Sequence, residues 1–182
     1  MLCSVTEPLS PSGKRLLFVC SGNFYRSRLA EILFLHYTDP EKRDWEVFSR
    51  GLAVGPVMRG VASEVVDFLK PMGLDTGDYR DPRPLLVDEL IGASHVVLLN
   101  RAEHEPAIER EFHPVYRKLL GAGAITFWNV FDLPYESTSR GKTTPPSQPA
   151  ESAVEHIHFA VKDLIARLDE LPLQPPKSGL SD

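Results

Sequence analysis

The chain reads as a single-domain, three-layer α/β fold with a four-stranded parallel sheet covered by helices on both faces, a Rossmann-like arrangement. Three observations predict it. Four short apolar runs carry no helical spacing, as expected of strands buried on both faces. Helix-patterned or helix-compatible segments separate them, which implies parallel pairing by crossovers. The 182 residues, 42% hydrophobic, suffice for one core without disulfide or metal staples.

The first run is Arg15 to Cys20, after a polar lead over 1–14 that holds Pro8, Pro11 and Gly13. A loop, Ser21 to Ser27, leads to Leu29, Ile32, Leu33 and His36, which share one helix face at i, i+3, i+4, i+7. On that reading His36 is a satisfied core group, and Asp39-Pro40 ends the helix. Trp45 to Ser49 is the second strand. Val61, Val65, Phe68 and Leu69 form a second helical stripe stopped by Pro71 and Gly73. Residues 74–84 read as loop, Leu85 to Ile91 as a short helix, and His95 to Leu99 as the third strand. Glu103 to Phe112 can be helical, with Pro106 tolerated only in a first turn. Ala124 to Trp128 is the fourth strand. Residues 133–150, punctuated by Pro134, Gly141, Pro145, Pro146 and Pro149, form a long loop of the kind that is functional or disordered. Val154, Ile157, Val161, Leu164, Ile165 and Leu168 mark a last amphipathic helix. The folded domain is expected over 15–171, with a frayed tail over 172–182.

Composition removes several functions. Lys+Arg 20 against Asp+Glu 25 gives a net charge of −5, which argues against a nucleic-acid partner. No apolar run approaches the roughly 20 residues a membrane span needs. The first residues lack a basic-then-apolar pattern, so a reduced cytoplasmic setting is expected. Two cysteines, Cys3 and Cys20, make neither a disulfide scaffold nor a Cys-based zinc site. The sequence carries no signal of oligomeric state. Proline is in excess, at 16 residues, and part of that excess falls in 134–149.

The chemistry lies in Cys20-Ser21-Gly22-Asn23-Phe24-Tyr25-Arg26-Ser27, a Cys-x5-Arg string between a strand and a helix. A loop entering a helix N-terminus turns backbone N–H groups toward an anion, and the helix dipole adds about half a positive charge. Gly22 and Asn23 tolerate the left-handed backbone that such a nest needs. Arg26 adds a planar fork matched to two phosphoryl oxygens. Cys20 faces the trap, which favours its thiolate, the form that attacks. Ser27 can donate a hydrogen bond to that sulfur. Tyr25, inside the loop, either lines the pocket or packs beneath it.

Val19 to Ser27, followed by Leu29-Ala-Glu31, resembles the phosphate-binding loop of the low-molecular-weight protein tyrosine phosphatases, the phosphotyrosine protein phosphatase I superfamily. Asp88 to His104 is similar to that family's third helix, strand and following turn, and the order of elements agrees over 15–171. The resemblance implies hydrolysis of phosphomonoesters, protein phosphotyrosine foremost, through a cysteinyl-phosphate, with no metal or organic cofactor. Cys20 would be the nucleophile. Arg26 and the loop residues Ser21, Gly22, Asn23, Phe24 and Tyr25 would hold the phosphoryl group, with Asn23 fixing the loop and Ser27 tuning the sulfur. Two positions depart from the pattern. Tyr25 stands where the family has a second Cys, removing a protective disulfide partner, and Arg28 replaces a Pro, adding charge near the mouth.

The family supplies its proton donor from an Asp followed by Pro and aromatics after the fourth strand. Here Trp128-Asn-Val-Phe-Asp132-Leu-Pro-Tyr135 offers Asp132, the only Asp between Asp88 and Asp163, with Leu133 intervening before Pro134. Aligning Pro134 instead would put Leu133 at the acid and leave only Glu136 nearby. Tyr135 would flank the pocket as an aromatic wall. His156 and His158, two apart on a helix, make a poor metal pair, and His95, His104 and His113 form no metal spacing. Arg28, Arg50 and Arg59 are expected on the solvated surface, where they could still bias the mouth toward anions. Two other functions fit the same loop: a thiol-dependent arsenate reductase, for which Cys3 is the only further thiol, and a non-catalytic phosphate-binding module.

Overall fold

The computed structural model describes residues 13–40, 44–74, 77–132 and 150–174. Four strands form one parallel sheet: β1 (Lys14–Cys20), β2 (Trp45–Gly51), β3 (His95–Leu98) and β4 (Ile125–Phe127). Their order is β2-β1-β3-β4. β1 pairs along its full length with β2, from Lys14 opposite Trp45 to Cys20 opposite Gly51. The chain steps outward from β1 to β2 and then returns to the other side of β1 with β3. Ligands of open α/β sheets bind at such a reversal, at the carboxyl ends of the strands.

The central strands alternate between two cores. Leu16, Phe18 and Cys20 of β1 and Val97 of β3 face one core, and Leu17, Val19, Val96 and Leu98 face the other. Both faces are buried, so these strands read as unbroken apolar runs. Helices α1 (Arg26–Tyr37), α2 (Ser63–Leu69) and α5 (Ala150–Ala166) cover the first face. Helices α3 (Val87–Gly92) and α4 (Arg101–Gly121) cover the second.

The structure corrects several local expectations. His36 is exposed, not core. Phe34 is the last buried residue of α1, so the helix stripe outruns the core, and the His36 ring lies against Tyr37 at 4.9 Å. α2 is a short helix that continues into a 3-10 turn over Lys70–Met72, which contains Pro71 and closes on Gly73 at φ +70°. α3 starts only at Val87, because Pro84 is held in a bridge to Gly51, with the Leu85 N–H donating to the Gly51 carbonyl. α4 runs to Gly121, well past Phe112, where the backbone kinks (φ −128°, ψ 27°) two residues before Pro114. Pro114 cannot donate into the preceding turn, so the kink lets a second helical segment start there. Pro106 is the sixth residue of α4, outside its first turn. The chain does not fray at Pro172: Gln174 donates from its backbone to the Ser94 carbonyl and from its side chain to the Ile91 carbonyl, both within 2.9 Å. The 133–149 loop lies outside the described residues.

His95 anchors this end of the chain. Its Nδ1–H donates to the Pro172 carbonyl at 2.8 Å and its Nε2 accepts from the Thr126 hydroxyl at 2.8 Å, the pattern of a neutral ring. Burial lowers its pKa, against a smaller opposing effect of the Pro172 bond. The unfolded chain therefore takes up a proton that the folded chain resists, and stability falls as pH drops below about 6.5. Urea melts of wild type and His95→Gln at about pH 7.5 and 5.5 are expected to show the steeper acid loss in wild type, by up to ~1.4 kcal/mol per pH unit. Equal slopes would contradict this account.

Candidate active site

Cys20 closes β1 and is 2% exposed. The chain then turns through 21–25 and enters α1 at Arg26. Asn23 takes the turn at φ +50°, a left-handed backbone that Asn adopts more readily than most residues. Segment 51–53 runs alongside and fixes the loop. The Leu52 N–H donates to the Cys20 carbonyl at 3.0 Å and the Ala53 N–H to the Ser21 carbonyl at 2.8 Å. Gly51 permits this approach, because a Cβ there would lie 2.7 Å from the Ser21 carbonyl oxygen.

Two groups converge on the sulfur. Ser27 Oγ lies 3.0 Å from Cys20 Sγ, and the Asn23 N–H donates to Sγ at 3.3 Å. Asn23 Nδ2 donates to Ser27 Oγ at 2.9 Å, which frees the Ser27 proton for the sulfur. Asn23 is itself held by every polar atom of its amide. Nδ2 also donates to Ser49 Oγ at 2.8 Å, and Oδ1 accepts from the Arg83 N–H at 3.0 Å and Arg80 Nη1 at 3.1 Å. Behind it, Glu31 accepts from Ser49 at 2.5 Å, Arg28 at 2.6 Å and Arg80 at 2.8 Å. Burial lowers the Arg80 pKa to about 10, with Glu31 opposing and Arg28, Arg50 and Arg83 adding to the shift.

Arg26 is 1% exposed and makes four side-chain bonds. Nη1 and Nη2 donate to the two oxygens of Glu103 at 2.6 and 2.7 Å, Nη1 also to the Val130 carbonyl at 3.1 Å, and Nη2 also to Asp132 Oδ2 at 3.0 Å. Burial opposes the charge, but Glu103, Cys20 and Asp132 outweigh it and hold the guanidinium ionised. Glu103 mirrors this: burial pushes it up, and bonds from Arg26, His104 and Ser21 hold it well below the usual carboxylate range. Asp132 arrives on the continuation of β4, where the Trp128 and Val130 N–H groups donate to the Leu98 and Leu99 carbonyls, both at 2.9 Å.

These elements enclose a cavity of about 370 Å³ lined by Cys20, Gly22, Phe24, Tyr25, Arg26, Met58, Ala62, Ser63, Glu64 and Asp132. A second cavity of equal volume lies at Thr38, Asp44, Trp45 and Ile165 and is lined by neither a cysteine nor an arginine, so chemistry rather than size selects the first. The structure thus brings Cys20, Arg26 and Asp132 together. Phe24 and Tyr25 line the cavity, and Tyr25 also packs into the core, uniting both readings of it. Asn23 and Ser27 are fully buried behind the cavity. Ser21 differs from expectation: its hydroxyl turns to Glu103 at 2.5 Å and His104 at 3.2 Å, away from the cavity lining. Tyr135 and Glu136 lie outside the described residues. Arg28 and Arg50 are not solvated surface groups. Arg28 is buried on Glu31, and Arg50 is half-buried on Glu89 at 2.8 Å. Arg59 is exposed, as expected.

Sequence reasoning missed Glu103, His104, Glu31, Ser49, Arg80, Met58 and Glu64. One signal was available for Glu103. Asn100-x-x-Glu103 is a helix-start spacing, and Asn100 Oδ1 does accept from the Glu103 N–H at 3.1 Å. Among the described residues, no three His, Cys, Asp or Glu are placed to hold a metal ion, and no helix is long and apolar enough to cross a membrane.

Known proteins share this architecture. A low molecular weight protein tyrosine phosphatase from T. tengcongensis superposes with a TM-score of 0.61 at 25% identity, over 85% of this chain and 99% of its own. The YwlE arginine phosphatase from Geobacillus stearothermophilus superposes at 0.62 with 21% identity, over 86% and 94%, which shows the fold alone. An arsenate reductase from Shouchella clausii (strain KSM-K16) is 33% identical over 92 residues, 50% of this chain, so the match spans only 54% of that relative. Residues 15–118, from the strand before the loop to the far half of α4, match the sequence model of the low molecular weight phosphotyrosine protein phosphatases, and the chain belongs to that family.

Proposed function

We propose that the protein is a cysteine-dependent phosphatase that hydrolyses phosphomonoesters, protein phosphotyrosine foremost, through a cysteinyl-phosphate intermediate. The observation that carries this reading is Cys20 Sγ, hydrogen-bonded by Ser27 and the Asn23 amide, in one cavity with the buried Arg26 fork and Asp132. In the first step the Cys20 thiolate attacks phosphorus, an S–P bond forms, and the ester P–O bond breaks. Arg26 and the loop hold the phosphoryl oxygens, and Asp132 protonates the departing oxygen. In the second step water attacks phosphorus, Asp132 takes its proton, and the S–P bond breaks to release phosphate. Ser27 stabilises the sulfur both as nucleophile and as leaving group. Phe24, Tyr25 and Met58 give the cavity apolar walls suited to an aryl group.

A second reading, arsenate reduction, draws support from the partial match to the arsenate reductase. Relayed through the chain's own thiols, it would have only Cys3 to follow Cys20. One assay separates the two. Purified protein is expected to turn over an aryl phosphate, with Asp132 as the proton donor. Vanadate is expected to inhibit competitively. Arsenate reduction with an added thiol, without aryl phosphate turnover, would replace the phosphatase reading.

A further inference from the structure

The Arg26 guanidinium has five N–H donors, and their partners are unevenly placed. Glu103 takes the end of the fork, accepting one bond from each Nη. The remaining Nη1 donor goes to the Val130 carbonyl and the remaining Nη2 donor to Asp132. Nε is buried and has no partner among the described residues. The planar fork can meet an oxyanion bidentately through its end or through its Nε–Nη2 side. Glu103 occupies the end, so the side edge is what remains for a ligand in the cavity that Arg26 and Asp132 both line.

We infer that Glu103 is the positioning residue of the phosphoryl-binding fork, clamping Arg26 by its end so that the Nε–Nη2 edge is presented to the phosphoryl group. The clamp is built for that task. Glu103 lies in the first turn of α4, its N–H capped by Asn100, and its Oε1 also accepts from Ser21 at 2.5 Å, with His104 Nε2 at 3.4 Å. It therefore joins the first and last residues of the 21–26 turn, whose backbone is set elsewhere by segment 51–53. The arrangement also couples binding to proton delivery. An oxyanion that takes Nη2 must displace Asp132 from it, which frees that carboxyl for the leaving oxygen.

Two effects oppose when Glu103 is neutralised. A negative charge leaves the neighbourhood of the anion, and the fork loses both clamping bonds. The charge is already paired with Arg26 and half-open to solvent, so its field at the anion is the weaker effect. Loss of orientation dominates, because ångström-scale misplacement of a binding group costs up to ~10²-fold in rate.

The inference rests on the phosphatase reading for its rate arm but not for its binding arm. Wild type, Glu103→Gln and Glu103→Ala are assayed with an aryl phosphate, with inorganic phosphate as competitor, at a temperature where each variant's melt shows it folded. The expected result is kcat down by about 10-fold in Gln and up to ~10²-fold in Ala, and a phosphate inhibition constant raised by about 10-fold. A merely structural residue would lower the folded fraction and leave the inhibition constant unmoved. Unchanged kcat in Glu103→Gln, or tighter phosphate, would overturn the inference. If Glu103→Ala does not fold, Glu103→Gln carries the test. If wild type turns over no aryl phosphate, the phosphatase reading falls, and vanadate binding by calorimetry still decides the clamp: about 10-fold weaker in Glu103→Gln upholds it, equal or tighter overturns it.

Discussion

Replacing Cys20 by Ser is expected to bring aryl phosphate turnover to the uncatalysed background, a loss on the order of 10⁴–10⁶-fold. The exchange of Sγ for Oγ conserves the shape of a side chain that is 2% exposed, so packing of the first core is little disturbed. What disappears is the proposed nucleophile. The proposed attack needs a sulfur nucleophile, and a serine hydroxyl is too weak a nucleophile to take its place. Ser27 and the Asn23 amide, which support a sulfur anion at 3.0 and 3.3 Å, then have none to stabilise. Binding is expected to survive, because Arg26 and the loop backbone are unaltered. The check pairs steady-state turnover with calorimetric binding of inorganic phosphate. Retained turnover would remove the cysteinyl-phosphate from the mechanism.

Asp132→Ala carries the second large effect, a fall of ~10²–10⁴-fold for a poorly activated leaving group. For a strongly activated phenol the loss is expected to be much smaller, because such a leaving oxygen departs without a proton. The dependence of kcat on leaving-group pKa, measured over a series of aryl phosphates, therefore steepens in the variant. Asp132 is half-exposed at the mouth, and its loss leaves Arg26 still paired to Glu103, so thermal stability is expected to change little. An unchanged series would reassign the acid and return attention to Glu136, the other acidic residue in that stretch of sequence.

What the sequence made legible was contiguous. Cys20 to Ser27 is one uninterrupted string, and its placement between a buried strand and a helix could be read from local pattern alone. The four strands were equally plain, because both faces of β1 and β3 are covered and leave unbroken apolar runs. Long-range pairing was not legible. Glu103 is 77 residues from Arg26, and nothing in the Glu103 neighbourhood names its partner. Arg28 and Arg50 look like surface charges until the fold supplies Glu31 and Glu89 beneath them. His36 erred in the opposite sense: helical periodicity continued for a turn after the core had ended. The helix read over Glu103 to Phe112 outruns that span, because a kink at Phe112 lets α4 resume beyond it.

The order of strands gives the two groups proposed to react unequal footing. Cys20 ends β1, an inner strand hydrogen-bonded on both sides and buried on both faces. Asp132 hangs from β4, a three-residue strand that among the described residues pairs with β3 only. Edge segments open locally at lower free energy than the centre of a sheet. On warming, Asp132 is thus released before Cys20 is. Under the proposed mechanism, the range of leaving groups is then lost first and the reaction last.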